Sequence, residues 1–166
     1  MYTLKPDIKK DPKRRWALPD RIFFGHGACH ILAGVYLRDP PLEGFYAERI
    51  IPSGDMAGNH IFVTNGTIAF DYHGYSGRER LLMHHRKVWS ARYSSWNCEV
   101  EAINFELLNT DSLNARKMLG PHQYLHDPVE RAGHYLSRIN HPQAFSRCVD
   151  FLANATRAYR CPVSVV

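Results

Sequence analysis

The sequence predicts an α+β fold, on three observations: an amphipathic run behind a glycine-bearing loop, a block of β-prone segments around an Asn-Gly reversal, and a mainly helical final third. A chain of 166 residues with 45% hydrophobic composition can bury one substantial core and is short for two. One helix, then antiparallel strands, then further helices is the order expected of segregated α and β layers.

Residues 1–20 mix charges with Pro6, Pro12 and Pro19, and are expected to form a basic extended arm; residues 21–166 are expected to form a single α+β domain. The run ACHILAGVYL, with Ile31, Leu32, Val35 and Tyr36 at helical spacing, predicts a helix of about ten residues from Cys29, stopped by Asp39-Pro40-Pro41. GFYAERIIP alternates as a strand does, and NHIFVTNGTIAFDY reads as a hairpin. GRERLLMHHRKVWSARY predicts a helix and CEVEAINF a further strand of the same sheet. Helices are expected near 111–119, 127–139 and 142–159, the last two parted by His141-Pro142. Phe145, Val149, Leu152 and Ala153 would cover the core, and Trp89, Tyr93 and Trp96 would pack between elements.

Charge narrows the partners. Lys5, Lys9, Lys10, Lys13, Arg14 and Arg15, set against Asp7 and Asp11, carry four of the five formal positive charges, so the body is nearly neutral. A nucleic-acid footprint on the folded body is therefore not expected. No stretch approaches the roughly eighteen apolar residues of a membrane-spanning helix, and the first residues lack the apolar segment of a secretory signal. The expectation is a soluble, cytoplasmic protein with no membrane partner. Its oligomeric state is left open. Cys29, Cys98, Cys148 and Cys161 form no CxxC pair, which points to reduced thiols. His122 and His126 stand four apart, but Gly120-Pro121 and Pro128 interrupt a helix there, so neither a metal site nor any other cofactor is expected.

With Asn65 and Gly66 as the two loop residues, Val63 faces Ile68, Phe62 faces Ala69, and His60 faces Asp71. Opposed residues project to one side with Cβ atoms about 5 Å apart, within reach of a carboxylate–imidazole hydrogen bond. Ile61, Val63, Ile68 and Phe70 then form a core face. A carboxylate there would fix the imidazole tautomer and favour the charged ring. Cys29 supplies the matching nucleophile: at the start of a helix, unpaired N–H groups and the helix dipole lower a thiol pKa. Gly25 and Gly27 would admit a substrate backbone, and the Cys29 amide could donate to an oxyanion. The plainer alternatives are a buried cysteine and a cross-strand pair that only staples the hairpin.

Cys29 at a helix start, His60 on a strand and Asp71 on the next antiparallel strand resemble the papain-like cysteine hydrolase superfamily, most closely its transglutaminase-like branch. The resemblance covers roughly residues 22–75. It implies a core in which an N-terminal helix carrying the cysteine packs on an antiparallel sheet, with the C-terminal helices as additions. It also implies Cys29 as thiolate nucleophile, His60 as base and then acid, and Asp71 as orienter. His30 stands where many relatives carry an aromatic, no upstream glutamine offers a second oxyanion donor, and DYHGY departs from the Asp-Pro-Thr common in that branch. His26 and Asn59 are the candidate second donors, and His73 and Tyr75 could line the cleft. The expected activity is acyl transfer at a peptide, protein or small amide substrate through a thioester on Cys29: a hydrolase, peptidase, deamidase or transglutaminase-like enzyme. The rival is a non-catalytic α+β module whose basic arm contacts an acidic partner.

Overall fold

A computed structural model describes residues 7–160, with only the backbone of residues 9 and 156–160. Residues 1–6 of the expected arm and Cys161 lie outside the described residues. After a single 3-10 turn (Ile8–Lys10) come α1 (Pro12–Trp16), α2 (Asp20–Gly25), α3 (Cys29–Arg38), β1 (Tyr46–Pro52), β2 (His60–Thr64), β3 (Ile68–Asp71) and β4 (Gly74–Gly77). Then follow α4 (Arg78–Ser90), β5 (Cys98–Ala102), α5 (Thr110–Asn114), a 3-10 turn (Pro121–Gln123), α6 (Pro128–Ser137) and α7 (His141–Arg160). The fold is α+β, with one antiparallel sheet in the order β4-β3-β2-β1-β5. Among the described residues no helix is long and apolar enough to cross a membrane.

Both faces of the sheet are covered, which is why β2 and β3 are buried at every position. On one face Ala47, Ile61, Val63 and Phe70 meet α3 residues Ile31, Leu32, Val35 and Tyr36, along with Phe23, Phe24 and the α6 residues Ala132 and Leu136. On the other, Ile50, Phe62, Ala69 and Trp96 form a smaller core closed by Leu81, Leu82 and Trp89. The clustered aromatics are packing groups here. Trp96 is buried with its Nε1–H donated to Ala57 O (2.9 Å), and Trp89 stacks on Tyr93.

The hairpin corrects the expected register. Val63 pairs with Phe70 and Thr64 with Ala69, a slide of two residues from the sequence-based pairing. The reason is local. Asn65 Oδ1 accepts from the N–H groups of Thr67 (3.1 Å) and Ile68 (2.9 Å), and the Asn65 N–H donates to Ile68 O (3.1 Å), so Asn65 closes the ladder. Gly66, at φ +89°, and Thr67 make the reversal instead. Because side chains alternate with period two, an even slide leaves every residue on its expected face. His60 and Asp71 are consequently diagonal, not opposed.

The expected extended arm is also corrected over the described part. Asp11 caps α1 by accepting from Lys13 and Arg14 N–H, and Ile8 and Leu18 are buried in the main core. Arg131 on α6 holds the segment: its guanidinium donates to Asp20 (2.8 Å), Trp16 O (2.6 Å) and Leu18 O (2.6 Å), and lies over the Trp16 and Phe23 rings. At the other end, α7 buries His141, Ala144, Phe145, Cys148 and Leu152 at least partly, whereas Val149 and Ala153 face solvent, a rotation from the expected core stripe. The helix turns because it must pack on β4, a strand with no periodic signal of its own. Arg131→Ala is expected to cost about 3 kcal/mol by removing one charged partner from carbonyls and a carboxylate. Urea unfolding would measure that loss, and limited proteolysis of the variant should cut first within residues 8–18.

Candidate active site

Cys29 is the first residue of α3 and is partly exposed. Ala28 precedes it and has no side chain to cap the helix, so the first-turn amides receive no side-chain acceptor. The approach loop is pinned from two sides. Tyr124 donates its hydroxyl to Gly27 O (2.8 Å), and the Tyr72 ring lies so close on Gly25 that a Cβ there would come within 2.8 Å of it. Gly25 is therefore required by close approach.

His60 opens β2 and Asp71 ends β3, both almost fully buried. They belong to the face away from α3. As the first residue of its strand, His60 meets the start of α3 at the sheet's end. His60 Nε2–H donates to Asp71 Oδ2 at 3.0 Å, and the Cys29 thiol interacts with the same imidazole. With Nε2 committed to the carboxylate, Nδ1 is the nitrogen left for sulfur. Asp71 Oδ1 also accepts the His73 N–H (2.8 Å), and the half-exposed His73 ring lies 3.4 Å from it. The His60 ring is boxed by His85, stacked at 5.7 Å and 14°, by Phe62 at 6.3 Å, and by the edge of Tyr72 at 5.5 Å.

The charges follow from this packing. Burial opposes ionisation of Cys29, but the His30 and His60 rings outweigh it and hold the thiol well below its ordinary pKa. Burial pushes His60 down, while the Asp71 carboxylate and the Cys29 sulfur lift it to about 10. Asp71 stays ionised because the His60 and His73 hydrogen bonds overcome its desolvation. These shifts favour a thiolate, an imidazolium and a carboxylate side by side at neutral pH. His85 is pushed down to about 4, first by burial and then by the His60 charge. It remains neutral, donating Nε2–H to Gly58 O (2.7 Å). Tyr72, raised by burial and the Asp71 and Cys29 charges, keeps its proton beside the thiol.

Of the residues singled out from sequence, Cys29, His60, Asp71 and His73 come together. His26 is partly exposed in the approach loop. Asn59 is exposed, with Oδ1 taken by the Arg49 guanidinium (3.2 and 2.9 Å), so its amide oxygen is committed to β1. Tyr75 lines a neighbouring cavity, but its hydroxyl is turned inward to Tyr36 (2.9 Å) and His141 Nδ1 (2.8 Å). Among the described residues no three His, Cys, Asp or Glu side chains gather as a metal set; His122 lies in a 3-10 turn and His126 against Trp16. Sequence reasoning did not assign a role to His30, whose buried ring donates Nε2–H to Leu119 O (2.8 Å), nor to Tyr72 and Tyr124, whereas it expected His84-His85 at the surface or in hydrogen bonds between elements, and His85 makes one to Gly58 O.

Comparisons with family models, curated proteins and solved structures gave no match to this chain. Asp71→Asn is expected to bring the His60 titration down from about 10 to near or below the ordinary ~6.5. The sign is fixed by the raised pKa: stability linked to the His60 proton is complete below ~6.5 and is lost as pH climbs through about 10. Imidazole chemical shifts followed against pH in both proteins would measure this. An unchanged midpoint would contradict the assignment.

Proposed function

We propose that the protein is a cysteine-dependent acyl-transfer enzyme acting at an amide-type bond, built like the papain-like cysteine hydrolases and closest to their transglutaminase-like branch. The single observation that carries this reading is the buried Asp71–His60 pair whose free imidazole edge meets a thiol at an uncapped helix start. A stapling ion pair has no use for a third group on that edge.

In this reading the Cys29 thiolate attacks the substrate carbonyl carbon, forming a C–S bond while the carbonyl π electrons move to oxygen. The Cys29 N–H, oriented by the start of α3, donates to that oxyanion. His60 gives its Nδ1 proton to the departing nitrogen, the C–N bond breaks, and a thioester remains. Water or an amine then attacks the thioester; His60 takes the proton of the incoming group, the C–S bond breaks, and the thiolate–imidazolium pair returns. Asp71 holds the ring and stays ionised throughout. Hydrolysis and transfer share the first half of this cycle and differ only in which nucleophile reaches the thioester.

Iodoacetamide supplies the test. At pH 6 Cys29 should alkylate well before Cys98 and Cys148, because the neighbouring imidazoles hold its thiol well below the ordinary pKa, whereas burial raises that of Cys148. His60→Ala should slow that reaction by at least about tenfold, the effect of returning one pKa unit to the thiol. Peptide mapping by mass spectrometry identifies the modified residue. Equal labelling of all accessible cysteines, or no effect of the substitution, would remove the proposal.

A further inference from the structure

Beside the site lies a cavity of about 540 Å³ between β4, α4 and α7. It meets the reactive cluster through His60, Asp71, Tyr72 and His73, while Cys29 is not on its wall. Its size is that of a small-molecule pocket. Two features of the lining bear on what it holds. Part of the lining is apolar, from Tyr75, Gly77, Leu81, Ala144, Cys148 and the exposed Phe151. The rim is cationic: Arg80 from α4 and Arg147 from α7 are both exposed and both border the space.

No balancing acid faces those arginines from the lining. Among the described residues Asp71 is its only carboxylate, and that group is committed to His60 and to the His73 amide. Arg80 lies over the Phe151 ring (5.1 Å), a contact that orients the guanidinium without neutralising it. A space with a partly apolar lining and two arginines, one from each of two bordering helices, suits a ligand with an apolar body and an anionic end.

We infer that this cavity binds the carboxylate-bearing, apolar part of the substrate, so that the amide processed belongs to an N-acyl amino acid or to the C-terminal end of a peptide. The inference deepens the acyl-transfer reading and rests on it for the nature of the amide. The cavity's preference for an amphipathic carboxylate is nonetheless a property of binding alone and can be measured without turnover.

The measurement is a titration of the full chain carrying Cys29→Ala, followed by backbone amide chemical shifts, with two probes of one shape. N-acetylphenylalanine carries the carboxylate, and N-acetylphenylalaninamide replaces it by a neutral amide. The acid is expected to shift Ser76, Gly77, Arg147 and Cys148 and to bind at least tenfold more tightly than the amide. Substituting Arg80 and Arg147 together by Gln should abolish that difference, while unchanged shifts in β1 and α3 show that the fold is retained. Equal affinities for acid and amide, no binding of either, or shifts confined to other surfaces would overturn the inference. Because the thiol is absent, these outcomes are independent of iodoacetamide labelling: preferential labelling with no acid preference would leave the enzyme reading standing and remove only the substrate class.

Discussion

A charged imidazole sealed from water is unfavourable unless its partners are already in place, and the surroundings of His60 are organised by that constraint. Burial alone would strip the proton from the ring; Asp71 on one edge and Cys29 on the other keep it. The three must therefore be positioned together, and three separate elements do so: α3 supplies the thiol, β2 the ring, β3 the carboxylate. The stacking of a neutral His85 extends the same logic. A second cation against His60 would repel it, and burial together with the His60 charge keeps the His85 ring uncharged while it donates to Gly58 O.

The packing around the dyad fixes geometry more than it adds stability. Phe62 and His85 bound the ring's faces and Tyr72 one edge, so the imidazole has little freedom to leave the line between sulfur and carboxylate. Tyr72 performs two tasks, since the same ring rests on Gly25 and so sets the height of the loop before Cys29. Tyr124, from the far side of the chain, holds the next turn of that loop through Gly27 O. Residues distant in sequence thereby orient a nucleophile whose own helix start is uncapped.

Much of this was legible in the sequence, and the limits have physical causes. Helical spacing around Cys29 placed α3, because an amphipathic run of about ten residues ended by Asp39-Pro40-Pro41 leaves few alternatives. The faces of His60 and Asp71 were readable although the turn was misplaced, since alternation is insensitive to an even slide. The turn itself was missed because Asn65 used its side chain to accept two backbone N–H groups, a local competition that an Asn-Gly pair does not announce. β4 and α2 escaped because four residues of GYSG and six of DRIFFG carry too little periodicity. The lead-in was misjudged for another reason: its burial depends on Arg131, more than a hundred residues away. Tyr72, His85 and Tyr124 acquire their roles only through such long-range contacts.

The inward hydroxyl of Tyr75 has a mechanical meaning. His141 Nε2–H donates to Leu136 O (3.1 Å), which leaves Nδ1 as acceptor, so Tyr75 must donate to it and accept from Tyr36. The direction of the whole chain of bonds is thus unique. It fastens the first residue of α7 to β4 and to the helix that begins at Cys29. One wall of the cavity and the bearer of the thiol therefore behave as one solid piece at their base. Phe151, further along α7 on the same cavity wall, lies beyond that anchored end.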